Sequence, residues 1–588
     1  MFRDRKQTLC ISSLLWYLLA ILLLSTACGL PWESAQPATT PSTALSCAQR
    51  SSTPVTLSMY YGSEKENWMR DVIADFNQRG LKACDGSISV QAVPIGSGAS
   101  MQQILAGGIK PDVWSPAGSI WLNLLNDQWR KQHSSDIIDE GANATPPLVN
   151  SPVVIAMWKP QAEALGWPQR SIGWSDIAKL STDSRGWASY GHPEWGDFKF
   201  GHTHPDYSNS GLDAVIAENY AALNKRGALS EVDIEQARTK DFVANVESSV
   251  IHYGDSTGFF ANKMFKGGPN YLSAAVMYES LVVEANQEQT YGHLPYPVVA
   301  IYPKEGTFYS DHPFAVLQAD WMTSAKKAAA QVLRDFLLDK VQQQKALNYG
   351  FRPAKLDVPV AAPLDSQHGV DPKQPQSVLQ IPSVSTVNAI KSSWNQQKRK
   401  VDVMLILDRS GSMNDSIGGS SKIEAAKQGL SDFVNLLGDS DGLGVTSFSD
   451  EAQTLTPVNA LGPKRQNVLE QIKGIQAGGS TRLYNTIDEQ VEALQNQASR
   501  HIKAVIVLTD GQDTVQQMNL QELLSKIKPT SDDRNAGNRV KVFTIAYGNP
   551  QDIDENALKQ IAEAGGGQEY AGTPQNIREI YNQISEFF

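Results

Sequence analysis

Cysteine is scarce in this chain, with four in 588 residues. Several chemical signatures are missing altogether. No Gly-x-x-x-x-Gly-Lys-[Ser/Thr] phosphate loop and no Gly-x-Ser-x-Gly elbow occurs, so neither nucleotide hydrolysis nor serine esterase chemistry has its usual carrier. An aspartyl-phosphate enzyme of the Asp-x-Asp kind needs a second Asp at 410, where the residue is Ser410. Basic excess is also lacking. The net charge of −11 and the pI near 5.4 argue against nucleic-acid or anionic-membrane surfaces as general partners. No internal repeat is visible, and the length suggests roughly three or four domains.

The longest apolar run, Ile11 to Leu24, is too short for a membrane span but follows Arg3, Arg5 and Lys6. A basic start, a short apolar core and small residues before a cleavage point make residues 1–27 an export signal. Cys28 after Ser25-Thr26-Ala27 resembles a bacterial lipoprotein site, which implies acylation at Cys28 and a membrane attachment through lipid alone, although Ser25 stands where Leu is usual. Ordinary signal peptidase could cut the same bond, and the alternative is a secreted chain with a free Cys28. Cys10 leaves with the signal, so Cys47 and Cys84 remain, and an isolated pair in an oxidising compartment is most simply a disulfide. Residues 28–53, rich in Pro, Ser, Thr and Ala, read as a tether.

The run Val403-Met404-Leu405-Ile406-Leu407 ends abruptly in Asp408-Arg409-Ser410-Gly411-Ser412. This predicts a buried parallel strand delivering oxygen-bearing side chains at its C-terminal end, where open α/β sheets bind ligands. Asp408, Ser410 and Ser412 stand at i, i+2 and i+4. Thr481 falls on a loop between two helical patterns, and Asp510 ends the strand Ala504 to Thr509. Few carboxylates and several neutral oxygens suit Mg²⁺, with Mn²⁺ or Ca²⁺ as substitutes. The constellation resembles the metal-ion-dependent adhesion site of the von Willebrand factor A family over residues 400–588. That resemblance implies a doubly wound, mainly parallel, Rossmann-like sheet, with a metal left short of one ligand that an acidic group of a protein or matrix partner supplies. No extra Glu or His stands near the motif to act as a base, and a non-catalytic role is expected.

From Val55 strands alternate with helices. Gly96-Ser97-Gly98-Ala99-Ser100 opens one helix and Ser208-Asn209-Ser210-Gly211 opens another, and exposed N–H groups at such ends favour anions. With Pro111 to Ala117, these features resemble the two-lobed solute-binding proteins of ABC transporters over residues 54–360. The resemblance implies a cleft for a small polar or anionic solute, with Ser97, Gly98, Ser100, Ser115, Ser208, Asn209 and Ser210 as candidate contacts, and an ABC permease as a possible partner. The alternative to a surface capture protein is therefore a transport substrate-binding lipoprotein with an accessory second domain. His192, His202 and His204 allow a metal site or plain surface histidines. Residues 361–399 read as a connector or strap ending in a short helix with Val387, Ile390, Lys391 and Trp394 on one face, handing the chain directly into the second half. Asp439 to Gly444, Asp450 and Ser531 to Asn538 are expected to be solvated loops in an otherwise βαβα order.

Overall fold

The computed structural model describes residues 52–588, apart from 84, 140, 142, 418, 500, 529–539 and 586–588. The export signal, Cys28, the Cys47–Cys84 pairing and the Ser531 to Asn538 loop lie outside the described residues.

The first lobe is a five-stranded sheet in the order Ala315–Val316, Val113–Ser115, Val55–Tyr61, Gly86–Pro94 and Lys82–Ala83. Its centre is parallel, Val55–Tyr61 running alongside both Gly86–Pro94 and Val113–Ser115. The helix Glu66–Arg79 covers it because Trp68, Val72 and Phe76 recur at four-residue spacing and are buried with Leu57 and Met59. Asp75 breaks that stripe and turns outward, to Arg79 at i+4 and to Lys345.

The second lobe is built on Val149–Trp158, which is buried along nearly its whole length. Tyr309–Ser310 and Ala274–Tyr278 flank it, followed by Phe200–Thr203 and Val250–Gly254, and Val298–Ile301 and Arg352–Pro353 also pair with it. Its apolar core continues without interruption into Trp114, Trp121 and Leu125 of the first lobe. Residues 357–382 form a strap. Val358, Leu364, Val370 and Leu379 are buried against the second lobe, and Thr307 exchanges backbone hydrogen bonds with Ser377 and Leu379.

The connecting helix Val384–Gln397 is capped by Ser383, whose hydroxyl accepts from the Thr386 N–H. Val387, Ile390 and Trp394 are buried on the second lobe, and Lys391 pairs with Asp206 at 2.6 Å. Lys398, Arg399 and Lys400 alone separate this helix from the strand Val401–Asp408.

That strand is the middle of a six-stranded sheet in the order Ala452–Ala460, Gly442–Phe448, Val401–Asp408, Ile502–Thr509, Val540–Tyr547 and Glu569–Gly572. Val401, Val403, Leu405 and Leu407 point into one apolar layer and Met404 and Ile406 into the other, so helices cover both faces. The expected βαβα order fails in the main sheet where Gly442–Phe448 turns back on itself through Ser449 to Glu451 and pairs antiparallel with Ala452–Ala460. That edge strand is largely polar, and Pro457 sits in it, which weakens any strand signal. Asp439 to Gly444 is likewise not a solvated loop throughout. Asp441 is fully buried, accepting from the N–H groups of Gly438 and Val401, with Lys398 Nζ 3.6 Å away.

Candidate functional site

At the C-terminal end of Val401–Asp408 three loops meet, tied by backbone bonds. Gly411 N–H donates to the Gly479 carbonyl at 2.9 Å, and Gly478 N–H to that of Arg409 at 2.6 Å. Gly479 takes φ +92°, where a side chain would also strike Asp450. Asp450 in turn accepts from Ser480 N–H and fixes the approach to Thr481.

These loops bring four of the five predicted oxygen donors into one chain of contacts. Asp408 is fully buried, its Oδ1 accepting from Ser410 N–H at 2.7 Å and its Oδ2 from Thr509 Oγ1 at 2.6 Å. Ser410 Oγ and Ser412 Oγ are 3.1 Å apart, and Ser412 Oγ donates to Asp510 Oδ1 at 2.8 Å. The fifth donor is close by: Thr481 Oγ1 lies over Gly511, next to Asp510. Ser412 is exposed while Asp408, Ser410, Thr481 and Asp510 are buried, so the cluster opens to solvent on the Ser412 side.

Burial pushes the Asp408 carboxyl up to about 6, Asp510 adding to the effect while bonds from Thr509 and Ser410 oppose it. Lys422, at the start of the helix Lys422–Leu436, is buried and donates to Asp510 Oδ2 at 2.7 Å. Two carboxylates and one ammonium leave an uncompensated negative charge among hydroxyl oxygens, and a small oxygen-preferring divalent cation fits that donor set. Sequence reasoning missed Lys422 and Thr509. Lys422 lies ten residues beyond the motif and reads simply as an exposed helix residue.

In the two-lobed half the two helix-opening loops come together, but against each other. The helix Ser97–Leu105 presents the N–H groups of Gly98 and Ala99 to the Tyr207 carbonyl, at 2.8 and 3.1 Å. A peptide oxygen thus fills the place foreseen for an anion. Ser97 Oγ accepts from Ala117 N–H, and Ser100 Oγ serves the Gly96 and Ser97 carbonyls and Trp114 Nε1. Asn209 Oδ1 accepts from Trp121 Nε1 of the first lobe at 3.0 Å, while Nδ2 donates to Asp213, Tyr278 and Ser310. Ser208 and Ser210 both bond to Thr257. Among the seven candidate contacts Ser115 keeps a buried hydroxyl without a partner among the described residues.

Beside these loops lies a network the sequence did not suggest. Lys65 Nζ donates to Glu64 Oε1 at 2.7 Å and stands 3.1 Å from His312 Nδ1, all three buried. Burial works against ionising Glu64, yet Lys65 and His312 hold its carboxyl down at about 2, whereas burial and Lys65 push His312 down to about 4.

The three histidines do not converge. His192 is half-exposed and stacks on Trp195. His204 accepts from Asp206 N–H and packs on Tyr207 and Trp394, and burial holds it at about 3 and hence neutral. His202 turns inward to Glu247. The surface-histidine alternative therefore fails for His202 and His204, because strand Phe200–Thr203 and the loop after it are covered by the connecting helix.

Residues 57–352 match the family model for bacterial extracellular solute-binding proteins, and residues 402–584 that for the von Willebrand factor type A domain. The chain is similar to an uncharacterized protein, YwmC, of Bacillus subtilis, 25% identical over 210 residues, covering 34% of this chain and 88% of that protein. It is also 24% identical over 195 residues to the inter-alpha-trypsin inhibitor heavy chain H4 of Sus scrofa, covering 31% of this chain but only 20% of the pig protein's length. Among solved structures, a periplasmic thiamin binding protein aligns with 12% identity and a TM-score of 0.42 over 59% of this chain and 98% of its own.

Proposed function

Since this chain belongs to the bacterial extracellular solute-binding proteins and carries a von Willebrand factor A domain behind that module, we propose that it is an exported, non-catalytic capture protein. Its second domain binds an acidic group of a protein or matrix partner, and its two-lobed half takes a small polar or anionic solute. Lipid attachment at Cys28 would hold it on the outer face of the cell membrane. Among the described residues no helix is long and apolar enough to cross a membrane.

The observation that carries this reading is the meeting of Asp408, Ser410, Ser412, Thr481 and Asp510 at one sheet end with too little positive charge. Asp408 and Asp510 would hold Mg²⁺, or Mn²⁺ or Ca²⁺ in its place, with the hydroxyls of Ser410, Ser412 and Thr481 as neutral ligands. The bound ion supplies a Lewis-acidic position for a carboxylate. Thr509 and the Ser410 N–H orient Asp408, while Lys422 pairs with the Asp510 carboxylate that the ion would have to share. The exposed Ser412 marks the side from which a partner's Asp or Glu arrives. Metal and partner affinities then rise together by linkage. Calorimetry of Mg²⁺ binding with and without an acidic partner tests this, and metal-independent capture would sink it.

Membership of the solute-binding family also favours a second reading, delivery of the solute to an ABC permease. Solute release to a reconstituted permease separates the two, since capture requires none.

A further inference from the structure

Inside the second lobe, among side chains that neither site above uses, three ionisable groups meet. One ligand atom each from His202, Glu218 and Glu247 lies within 4.8 Å of the others, and all three residues are completely buried. They come from the strand Phe200–Thr203 and the helices Asn209–Leu223 and Ala237–Glu247.

The hydrogen bonds around the cluster fix which atoms are free. His202 Nδ1 lies 2.8 Å from the Thr203 carbonyl oxygen, which can only accept, so Nδ1 carries the hydrogen and Nε2 faces the carboxylates. Nε2 is 3.0 Å from Glu247 Oε1. Glu247 is further held by Tyr253 OH at 2.5 Å and by Trp394 Nε1 at 2.7 Å. Glu218 is the exception, because neither of its carboxylate oxygens has a hydrogen-bond partner among the described residues. Among those residues no Lys or Arg pairs with either carboxylate.

A protonated His202 can neutralise Glu247, but Glu218 then remains a second buried carboxylate with no cation, which is expensive. Protonating Glu218 removes one charge but leaves an O–H donor with no acceptor in place. A divalent ion resolves both problems, since two carboxylates and a neutral imidazole bring it to zero net charge.

We propose that His202 Nε2, Glu218 and Glu247 form a closed site for one zinc-type divalent transition metal. A mixed nitrogen and carboxylate donor set suits Zn²⁺, and the two free oxygens of Glu218 can serve it singly or together. The surroundings are those of a metal site: a backbone carbonyl orients the imidazole, and Tyr253 and Trp394 orient Glu247. Trp394 belongs to the connecting helix Val384–Gln397, which runs directly into the central strand of the following domain. The metal thereby locks that helix onto the second lobe and sets how firmly the two halves of the chain are joined.

The test uses the full chain with Asp408→Ala, which silences the other candidate metal site. Because this site is closed, the protein is unfolded and refolded with EDTA or with Zn²⁺, then desalted. The expected result is one equivalent of zinc by elemental analysis, a higher Tm, and amide exchange in residues 384–397 at least tenfold slower than in the EDTA sample. Glu218→Gln, which keeps the volume and removes a ligand, and His202→Gln should refold without retaining zinc. Absence of stoichiometric zinc in the Asp408→Ala protein overturns the proposal, as does zinc retained equally by Glu218→Gln and His202→Gln. Should either variant fail to refold, the stoichiometry and the exchange rates of the Asp408→Ala protein decide alone.

Discussion

Lys422 Nζ donates to Asp510 Oδ2 at 2.7 Å while Asp510 Oδ1 accepts from Ser412, so one carboxylate joins a buried ammonium to the hydroxyl rim. A metal at that rim must share Asp510 with a cation already present. At an effective dielectric of about 20, two unit charges 4 Å apart interact by about 4 kcal/mol. Lys422→Met should therefore tighten Mg²⁺ binding by roughly tenfold or more, even after solvent and relaxation take their share. It should also destabilise the metal-free protein by about 3 kcal/mol, as the buried carboxylate loses its partner. Calorimetry with thermal unfolding in EDTA and in Mg²⁺ reads both effects, and weaker Mg²⁺ binding by Lys422→Met would show that the ammonium positions Asp510 and does not compete.

Asp408→Ala and Thr481→Ala should differ in degree. Asp408 contributes a charge and Thr481 a neutral oxygen, so the first should abolish Mg²⁺ binding and partner capture while the second weakens them roughly tenfold. Both should fold, because the site lies at the end of the sheet and the apolar layers on either side of Val401–Asp408 remain intact. Equal losses in the two variants, by Mg²⁺ titration and partner pull-down, would reject this ranking.

What could be read from the sequence followed from strong local periodicity. Val403 to Asp408 announced itself as a central strand because every residue in it is apolar until its polar end, and the other candidate oxygen donors followed at fixed spacing. The edge strand Ala452–Ala460 did not, since an exposed strand needs no apolar run. Lys422, Glu218 and Glu247 were invisible for a related reason: each is a charged residue on a helix, a type that is normally solvated, and only tertiary packing buries it. Likewise, loop sequence showed that the helices after Gly96 and Ser208 begin with free N–H groups. It could not show that the opposite loop supplies the Tyr207 carbonyl that occupies two of them.

That carbonyl contact makes Gly98 a test of lobe closure. A Cβ at position 98 would overlap the Asp206 carbonyl oxygen, which accepts from Gln102 Nε2, and meet the Trp121 ring, whose Nε1–H donates to Asn209. Gly98→Ala should push the loop at 206–208 off the helix Ser97–Leu105, lower stability by about 1–3 kcal/mol and open the lobes. Small-angle scattering should show a larger radius of gyration, with Mg²⁺ binding by the other domain unchanged. Identical scattering from wild type and Gly98→Ala would mean that these loops are apart in solution.

The pH dependence of stability should carry the mark of Asp213, which lies one turn into the helix that Asn209 opens. Burial pushes its carboxyl up to about 8, the hydrogen bond from Asn209 Nδ2 opposing this in part and Asp311 adding to it. In the unfolded chain the same group titrates near 4. Below about pH 4 both states hold the proton and the contribution to stability is complete. Between about 4 and 8 the folded state keeps a proton that the unfolded state has released, so stability falls as pH rises. Above about 8 both are ionised and nothing further is lost. Asp213→Asn keeps the shape and cannot ionise, so it should be the more stable protein at pH 8 by about 3 kcal/mol or more, with the gap closing toward pH 4. Other buried acids titrate in both proteins and cancel in the comparison. The difference in unfolding free energy between Asp213→Asn and wild type, followed from pH 4 to pH 8 in EDTA, checks the assignment, and a difference that does not change with pH would remove Asp213 as its source.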